Sequence, residues 1–477
     1  MSGGVVIVGG GPAAHRLAHR LHALGHRDAV TVIGAEPRPA YNRALLGSVL
    51  DGTLSADRLA LPALPATVRT LTGVRAVSID RARRTVHLKD GRELPYDVLV
   101  LATGARPRIP DLPGLVTARG RLAEGARTLR TAADSHPLPP GPVVVLGGGV
   151  LGVESALALR HAGKEVTLVQ RSGRLMQRQL DGPASHALAQ WARSRDVTLH
   201  LGRRAEEYAP GKLVLDDGQV LAAGTLLLCT GTQPETTLAR SGDLTVRDGI
   251  VVDAQLRTDD PLIHAMGDCA QHTDVTGTTL IQAWDQAEAL ARILTGTGTA
   301  YVPARHLLRP RVRGMDIVSL APQAPERDTD TAVSLRDAAR GRYARLALRD
   351  GRIHTGVVVG PAAAVAAVSG LYARDAPVPA DLLALLSGAD VPYADTDATA
   401  DDAVACHCNN VTFRRLRAAW AGGAHDSQAL ARATRATTGC GGCTAVVRRL
   451  CTTLAAAGGA GPAGTHTAVD TAGGGTP

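Results

Sequence analysis

The sequence predicts an α/β chain of several domains, on three observations. A strand–glycine turn–helix–strand pattern opens the chain, the same pattern returns after Pro142, and four cysteines form two close pairs near the C-terminal end. At 477 residues the chain exceeds what one core holds and is expected to divide into three or four domains. A hydrophobic content of 45% against 20% charged residues fits a globular protein and excludes wholesale disorder.

Val5-Val6-Ile7-Val8 is a continuous apolar run, as a strand buried on both faces requires. Glycines follow, and then Ala14, Leu17, Ala18, Leu21 and Leu24 recur at helical spacing before a second apolar strand, Ala29–Ile33. Together they make one βαβ unit. Val143–Leu146, a glycine turn, Val150–Leu159 and Val166–Val169 repeat the layout. Strands at Val98–Ala102 and Leu226–Cys229 each run into a Thr-Gly pair, Thr103-Gly104 and Thr230-Gly231, closing the two halves alike. Residues 300–385 change character: Tyr343–Leu348 and Ile353–Val359 read as an antiparallel hairpin around Arg349-Asp350-Gly351. The stretch 390–403 reads as a linker, and 456–477, mostly Gly, Ala and Thr, as a disordered tail.

Gly9-x-Gly11-x-x-Ala14 follows a strand and opens a helix, the context a dinucleotide fingerprint requires. The first glycine permits the tight turn, the second lets the backbone approach a pyrophosphate, and the small third residue allows close helix–strand packing. Glu36, after the second strand, is placed to accept from ribose hydroxyls; a surface glutamate there is the bland alternative. Gly147-x-Gly149-x-x-Gly152 is a second fingerprint, so two different dinucleotides are expected. The acidic residue due after its second strand is missing. Gln170-Arg171 stands there, with Arg174 nearby, which leans towards NADPH, because an arginine can pair with a ribose 2′-phosphate. A solvated loop arginine would look the same.

Cys406-x-Cys408 and Cys440-x-x-Cys443 supply four thiolates in two tight pairs, which suit an iron–sulfur cluster or structural zinc. None of the seven cysteines precedes Cys229, and a secreted disulfide framework would be distributed differently. His407, between two of the ligands, reads as solvent-facing. Cys229 and Cys451 read as small buried hydrophobes, and Cys269 as packing.

On these motifs, residues 1–300 resemble the FAD-dependent pyridine-nucleotide oxidoreductases of the rubredoxin and ferredoxin reductase kind. Ala102-Thr103-Gly104 and Met266-Gly267-Asp268-Cys269 match as well. The resemblance implies that Thr103 and Gly104 pass the flavin and that Asp268 holds the ribityl chain, although an aspartate there also suits a helix N-cap. The disulfide reductases of that superfamily carry a redox cysteine pair in the first domain, and this sequence has none there. Thr438-Gly439-Cys440-Gly441-Gly442-Cys443 resembles the BFD-like (bacterioferritin-associated-ferredoxin-like) [2Fe-2S] domain. The two halves together look like the N-terminal half of the assimilatory NAD(P)H-nitrite reductase large subunit, or the electron-transfer subunit of assimilatory nitrate reductase. Glu36-Pro37-Arg38-Pro39-Ala40-Tyr41-Asn42-Arg43 and Leu175–Asp181 also have that look, which adds Arg43 to the FAD residues.

The expected architecture is therefore two Rossmann-like dinucleotide-binding domains (FAD and NAD(P)), an α+β interface domain and a small helical [2Fe-2S] BFD-like domain. The expected boundaries are 1–110 and 235–299 for the FAD domain, 111–234 for NAD(P), 300–389 for the interface domain and 404–455 for the cluster. Hydride transfer needs no acid–base side chain, so no catalytic residue is assigned. The expected partner is a separate terminal reductase, the catalytic subunit of a nitrate or nitrite reductase, since the sirohaem region of nitrite reductases does not follow. Rival readings are a rubredoxin or ferredoxin reductase, an amine or imino-acid dehydrogenase component, and, in another class, a ferritin-docking module. The net charge of +8 is scattered, only Lys89, Lys164 and Lys212 are lysines, and aromatics are 2%, so nucleic-acid binding is not expected. Val5–Val8 has no basic leader and is far too short to cross a bilayer, so the expectation is a cytoplasmic protein without a membrane anchor.

Overall fold

Val5–Val8 is buried at every position and lies at the centre of a five-stranded sheet. It pairs in parallel with Val30–Gly34 on one side and Val98–Leu101 on the other. Val68–Thr72 and Ile263–Ala265 extend the two edges, also in parallel. The helix Pro12–Ala23 starts on a proline and buries Ala14, Leu17, Ala18 and Leu21, the residues whose spacing marked its inner face. The helix Leu280–Leu294 packs beside it. Because the chain leaves Val5–Val8 towards one edge and returns on the other side, a crevice opens beyond the C-terminal ends of the strands.

Val143–Leu146 repeats this arrangement, paired in parallel with Val166–Gln170 and Thr225–Leu228, with Val197–Leu201 and Ala126–Thr128 outside them. The helix Val150–His161 follows its glycine turn. Two chain segments run between the sheets, and Ala105–Pro107 pairs with Thr232–Pro234 antiparallel. The Thr103 hydroxyl donates to the Glu235 carbonyl at 2.6 Å and the Thr230 hydroxyl to the Arg108 carbonyl at 2.6 Å. The two Thr-Gly pairs thus tie the crossings to each other.

Residues 307–360 form an antiparallel five-stranded sheet that includes the expected hairpin, as Arg342–Arg349 and Arg352–Gly360 with Tyr343 opposite Val359. Its turn works because Asp350 and Gly351 both take positive φ, 51° and 68°. The helices Ala362–Ala373 and Leu382–Ser387 cover the sheet through Val365, Val368, Leu371 and Leu385.

The chain divides into two units, residues 1–393 and 394–477. In the second, Val404–Cys406 pairs with Val411–Thr412, and the helices Phe413–Ala421, Ser427–Thr434 and Thr444–Gly458 follow. Cys406, Phe413, Leu416, Leu430, Val447 and Leu450 share one small core. The last helix continues through Gly458, past the start of the expected tail at 456, because the alanines there are the strongest helix formers. This computed structural model describes residues 3–273, 275–276, 279–322, 324–389, 401, 404–406, 411–437 and 443–458. The rest of the expected linker and tail lies outside the described residues. No described helix is long and apolar enough to cross a membrane.

Candidate functional site

Gly9 takes φ +135°, and a Cβ there would stand 2.0 Å from the Ala102 carbonyl oxygen, so only glycine lets the first turn touch the neighbouring strand end. Gly11 caps the helix Pro12–Ala23 without any side-chain hydrogen bond. Its open face meets only the Arg43 Nε, at 3.9 Å. The helix start therefore offers bare N–H groups and a guanidinium to the same space, a setting for an anionic pyrophosphate. Ala14, at the third motif position, is fully buried.

Glu36 is oriented by two neighbours. Its carboxylate accepts from the Tyr41 hydroxyl at 2.8 Å and from Arg43 at 2.5 Å. Burial is the main reason the Tyr41 hydroxyl is pushed up to about 12, and the bond to Glu36 adds to it, so it remains a donor. Arg43 also donates to the Arg130 carbonyl at 3.1 Å. The Arg130 guanidinium in turn bonds the Ala105 carbonyl at 3.0 Å and the Asp268 carboxylate at 2.5 Å. It is also the nearest group, at 4.0 Å, to the open face of Gly104. Glu36, Arg43, Gly104 and Asp268 are thus linked through Arg130, at the ends of adjacent parallel strands beside Gly9, Gly11 and Thr103.

Asp268 is not a helix N-cap. It sits inside the single turn Gly267–Cys269, whose capping position is Met266, and its carboxylate turns to Arg130. Gln286, buried on the helix Leu280–Leu294, accepts from the Gly267 N–H at 2.6 Å and fixes this turn. The Cys269 thiol points at the carbonyls of Leu101 and Met266, and burial pushes its pKa up, as suits packing. Tyr41, Arg130 and Gln286 escaped sequence reasoning. The one local signal was Thr131-x-x-Asp134 beside Arg130, where the Asp134 carboxylate accepts from the backbone N–H groups of Arg130 and Thr131.

In the second βαβ unit Gly147 takes φ +114°, and a Cβ there would stand 2.4 Å from the Cys229 carbonyl oxygen. Gly149, at the helix start, has nothing within 4 Å of its open face. Gly152 could take a Cβ only at 1.7 Å from the Gly147 oxygen, so this helix sits closer to its turn than its counterpart at Ala14 does. The Gly148 N–H donates to the Gln170 side-chain oxygen at 2.9 Å, and its carbonyl accepts from the Met176 N–H at 2.8 Å. Arg171 stands exposed one residue beyond the strand Val166–Gln170. Glu154, one turn into the helix, is half-buried and accepts from the Arg311 N–H at 2.7 Å; burial pushes its carboxyl pKa up.

In the C-terminal unit Cys406 and Cys443 are both buried in the shared core. The Thr437 N–H donates to the Cys443 sulfur at 3.2 Å. Arg435 and Thr437 hold positive φ, 67° and 66°, to aim it, a strained backbone for a β-branched residue. An N–H aimed at sulfur favours the thiolate that metal ligation needs. Cys408, Cys440 and His407 lie outside the described residues. Cys229 is buried and its thiol is pushed up to about 12 by that burial, whereas Cys451 is half-buried on the last helix.

The description of the pyridine nucleotide-disulphide oxidoreductases matches residues 3–291, and that of the BFD-like [2Fe-2S] binding domain matches residues 404–451. The chain belongs to the pyridine nucleotide-disulphide oxidoreductase family. The oxidoreductase is 28% identical over 465 residues to a nitrite reductase [NAD(P)H] of Bacillus subtilis, covering 94% of this chain and 57% of the relative. It is also 28% identical over 369 residues to the assimilatory nitrate reductase electron transfer subunit of the same organism, covering 74% of this chain and 47% of the relative. It thus spans about half the length of these curated relatives. Its fold superposes on the crystal structure of a covalent putidaredoxin reductase–putidaredoxin complex with a TM-score of 0.72 at 27% identity, covering 81% of this chain and 98% of that one.

The oxidoreductase uses FAD and NAD(P)H, and its C-terminal domain takes a [2Fe-2S] cluster. The residues present fit those groups. The open faces of Gly11 and Gly149 mark two places where a pyrophosphate can reach a helix start, the first with Arg43 beside it. The N–H directed at the buried Cys443 sulfur suits an anionic ligand better than a neutral thiol.

Proposed function

We propose that this oxidoreductase takes hydride from NAD(P)H, held on the Gly147–Gly152 turn, and delivers electrons singly to a separate terminal reductase of nitrate or nitrite assimilation. The route would run from FAD through the C-terminal cluster, in the reducing cytoplasm. The observation that carries the reading is the pairing of two intact dinucleotide turns with a four-thiolate domain, in a chain without a cysteine before Cys229. Electrons then have one thiolate centre through which to leave.

FAD supplies the conversion between two-electron hydride chemistry and one-electron transfer. The chain's own residues bind and orient. Gly9, Gly11 and Arg43 receive the flavin pyrophosphate, with Ala14 allowing the helix to pack closely. Glu36, held by Tyr41, accepts from the adenosine ribose hydroxyls. Gly104 admits the ring against the backbone; the Thr103 hydroxyl keeps the adjoining crossing in place. Asp268, oriented by Arg130, accepts from the ribityl chain. Gly149 and Gly152 let the nicotinamide cofactor reach its helix start. Cys406, Cys408, Cys440 and Cys443 hold the iron. No side chain has to move a proton during hydride transfer, so catalysis here rests on placement.

Anaerobic mixing with NAD(P)H tests the reading, with nitrate reductase, a sirohaem nitrite reductase and rubredoxin offered as acceptors. NAD(P)H oxidation driven by nitrate or nitrite through one of the first two is the expected result. Turnover with rubredoxin alone would overturn the assimilatory role. Flavin bleaching by an amino acid without NAD(P)H would overturn the hydride source.

A further inference from the structure

We infer that the second dinucleotide site selects a cofactor phosphorylated on the adenosine 2′-hydroxyl, with Gln170, Arg171 and Ser172 setting that choice; the inference rests on the hydride-donor role proposed for the Gly147–Gly152 turn. The two βαβ units can be compared residue by residue, because their strands pair in the same register. Val5 lies opposite Val30, and Val143 opposite Val166. Counting from those partners, Gly34-Ala35-Glu36 in the first unit corresponds to Gln170-Arg171-Ser172 in the second.

The three substitutions act together. In the first unit Gly34 leaves its strand end bare, close against Gly10, and Glu36 brings a carboxylate fixed by Tyr41 and Arg43. A carboxylate at that place accepts from ribose hydroxyls and repels a phosphate. In the second unit the Glu36 counterpart is the small neutral Ser172. Gln170, in place of Gly34, folds its side-chain oxygen onto the Gly148 N–H at 2.9 Å. Its amide nitrogen donates to the Ser172 hydroxyl, which donates to the Arg174 carbonyl at 3.0 Å. The glycine turn therefore keeps its acceptor without a negative charge.

Positive charge replaces what was removed. Arg171 and Arg174 are exposed, and neither guanidinium has a hydrogen-bond or ion-pair partner among the described residues. Arg203 follows closely, its N–H donating to the Gln170 carbonyl at 3.1 Å, but its guanidinium is engaged with Asp217 at 3.0 Å. Arg171 directly follows the strand end from which ribose recognition operates, and a guanidinium matches phosphate oxygens with paired donors.

Calorimetric titration of the full-length, FAD-loaded protein tests this with 2′,5′-ADP and 5′-AMP, two probes that carry no nicotinamide and undergo no turnover. The expected result is tighter binding of 2′,5′-ADP. Arg171→Ala should weaken 2′,5′-ADP by about 10- to 100-fold, the loss of one charge-assisted interaction, and leave 5′-AMP unchanged. Gln170→Glu keeps the shape and the acceptor for Gly148 but adds a charge, and should also weaken 2′,5′-ADP selectively. Equal affinity of the wild type for both probes, or equal loss of both in Arg171→Ala, would overturn the inference while leaving the hydride-donor site standing. If the wild type binds neither probe, the dinucleotide assignment of the second unit itself fails.

Discussion

Replacing Gly149 with alanine should weaken use of the nicotinamide cofactor by about 100-fold while sparing the fold and the flavin. Gly149 has φ −77° and ψ −173°, a conformation open to any residue, and a Cβ there meets nothing within 4 Å. The remaining cost to the protein is a poorer helix N-cap, about 1 kcal/mol or less, which lowers Tm by only about 1 °C in a protein of this size. The added methyl stands about 1.5 Å from the Cα, in the space where pyrophosphate oxygens come within about 3 Å of the helix N–H groups. The cofactor must back off by about 1 Å, and a displacement of that size costs on the order of 100-fold. Stopped-flow bleaching of the flavin over a range of NAD(P)H concentrations reads the effect, with flavin content and Tm measured on the same sample. Unchanged bleaching would refute the placement of the cofactor on this turn. Loss of flavin from the variant would refute the separation of the two sites.

Two further outcomes follow from the network on the flavin side. Arg130→Met removes the partner of Asp268 and a bond to the Ala105 carbonyl, so FAD affinity should fall by about 10- to 100-fold, read by flavin release on dilution. Asp285, half-buried on the helix Leu280–Leu294, has its pKa raised to about 6 mainly by desolvation, with Glu288 adding to the rise and Arg16 opposing it. A folded-state value above the unfolded one means that ionisation opposes folding. The penalty is absent below about pH 4, grows up to about pH 6 and is complete above that. Two units correspond to about 3 kcal/mol, reduced by partial solvent screening to about 1–2 kcal/mol. Asp285→Asn should therefore be more stable than the wild type at pH 7.5, with the difference vanishing towards pH 4 in denaturant titrations.

Continuous apolar runs such as Val5–Val8 and Val143–Leu146 announced their strands because both faces are buried, and the glycine turns announced themselves through fixed spacing. Asp350-Gly351 marked its hairpin for a similar reason: the turn needs two residues that accept positive φ. The crossing of Ala105–Pro107 with Thr232–Pro234 was not legible, since three-residue strands far apart in sequence carry no periodicity. Glu36 could be picked from its place after a strand, and its holders Tyr41 and Arg43 lie close by in sequence. Arg130 could not, because its partner Asp268 is 138 residues away and only the sheet order brings them together. Asp268 itself was open to a capping reading because an aspartate at a short turn looks the same in sequence whether it caps or reaches across the crevice. The last helix extended beyond expectation because alanine, counted as low complexity, is also the residue that best sustains a helix.

The measurement closest to the central claim follows electrons past the flavin. Cys440→Ser removes one of the four proposed cluster ligands, and the reductase unit, residues 1–393, lies outside the affected domain. Iron and sulfide analysis would first establish that the cluster is lost. Flavin bleaching by NAD(P)H should then stay near the wild-type rate, and dyes that accept electrons directly from flavin should still be reduced. NAD(P)H oxidation coupled to nitrate or nitrite through the terminal reductase should collapse. If the cluster-free variant drives that reductase at the wild-type rate, electrons bypass the cluster, and residues 404–455 serve docking or regulation instead.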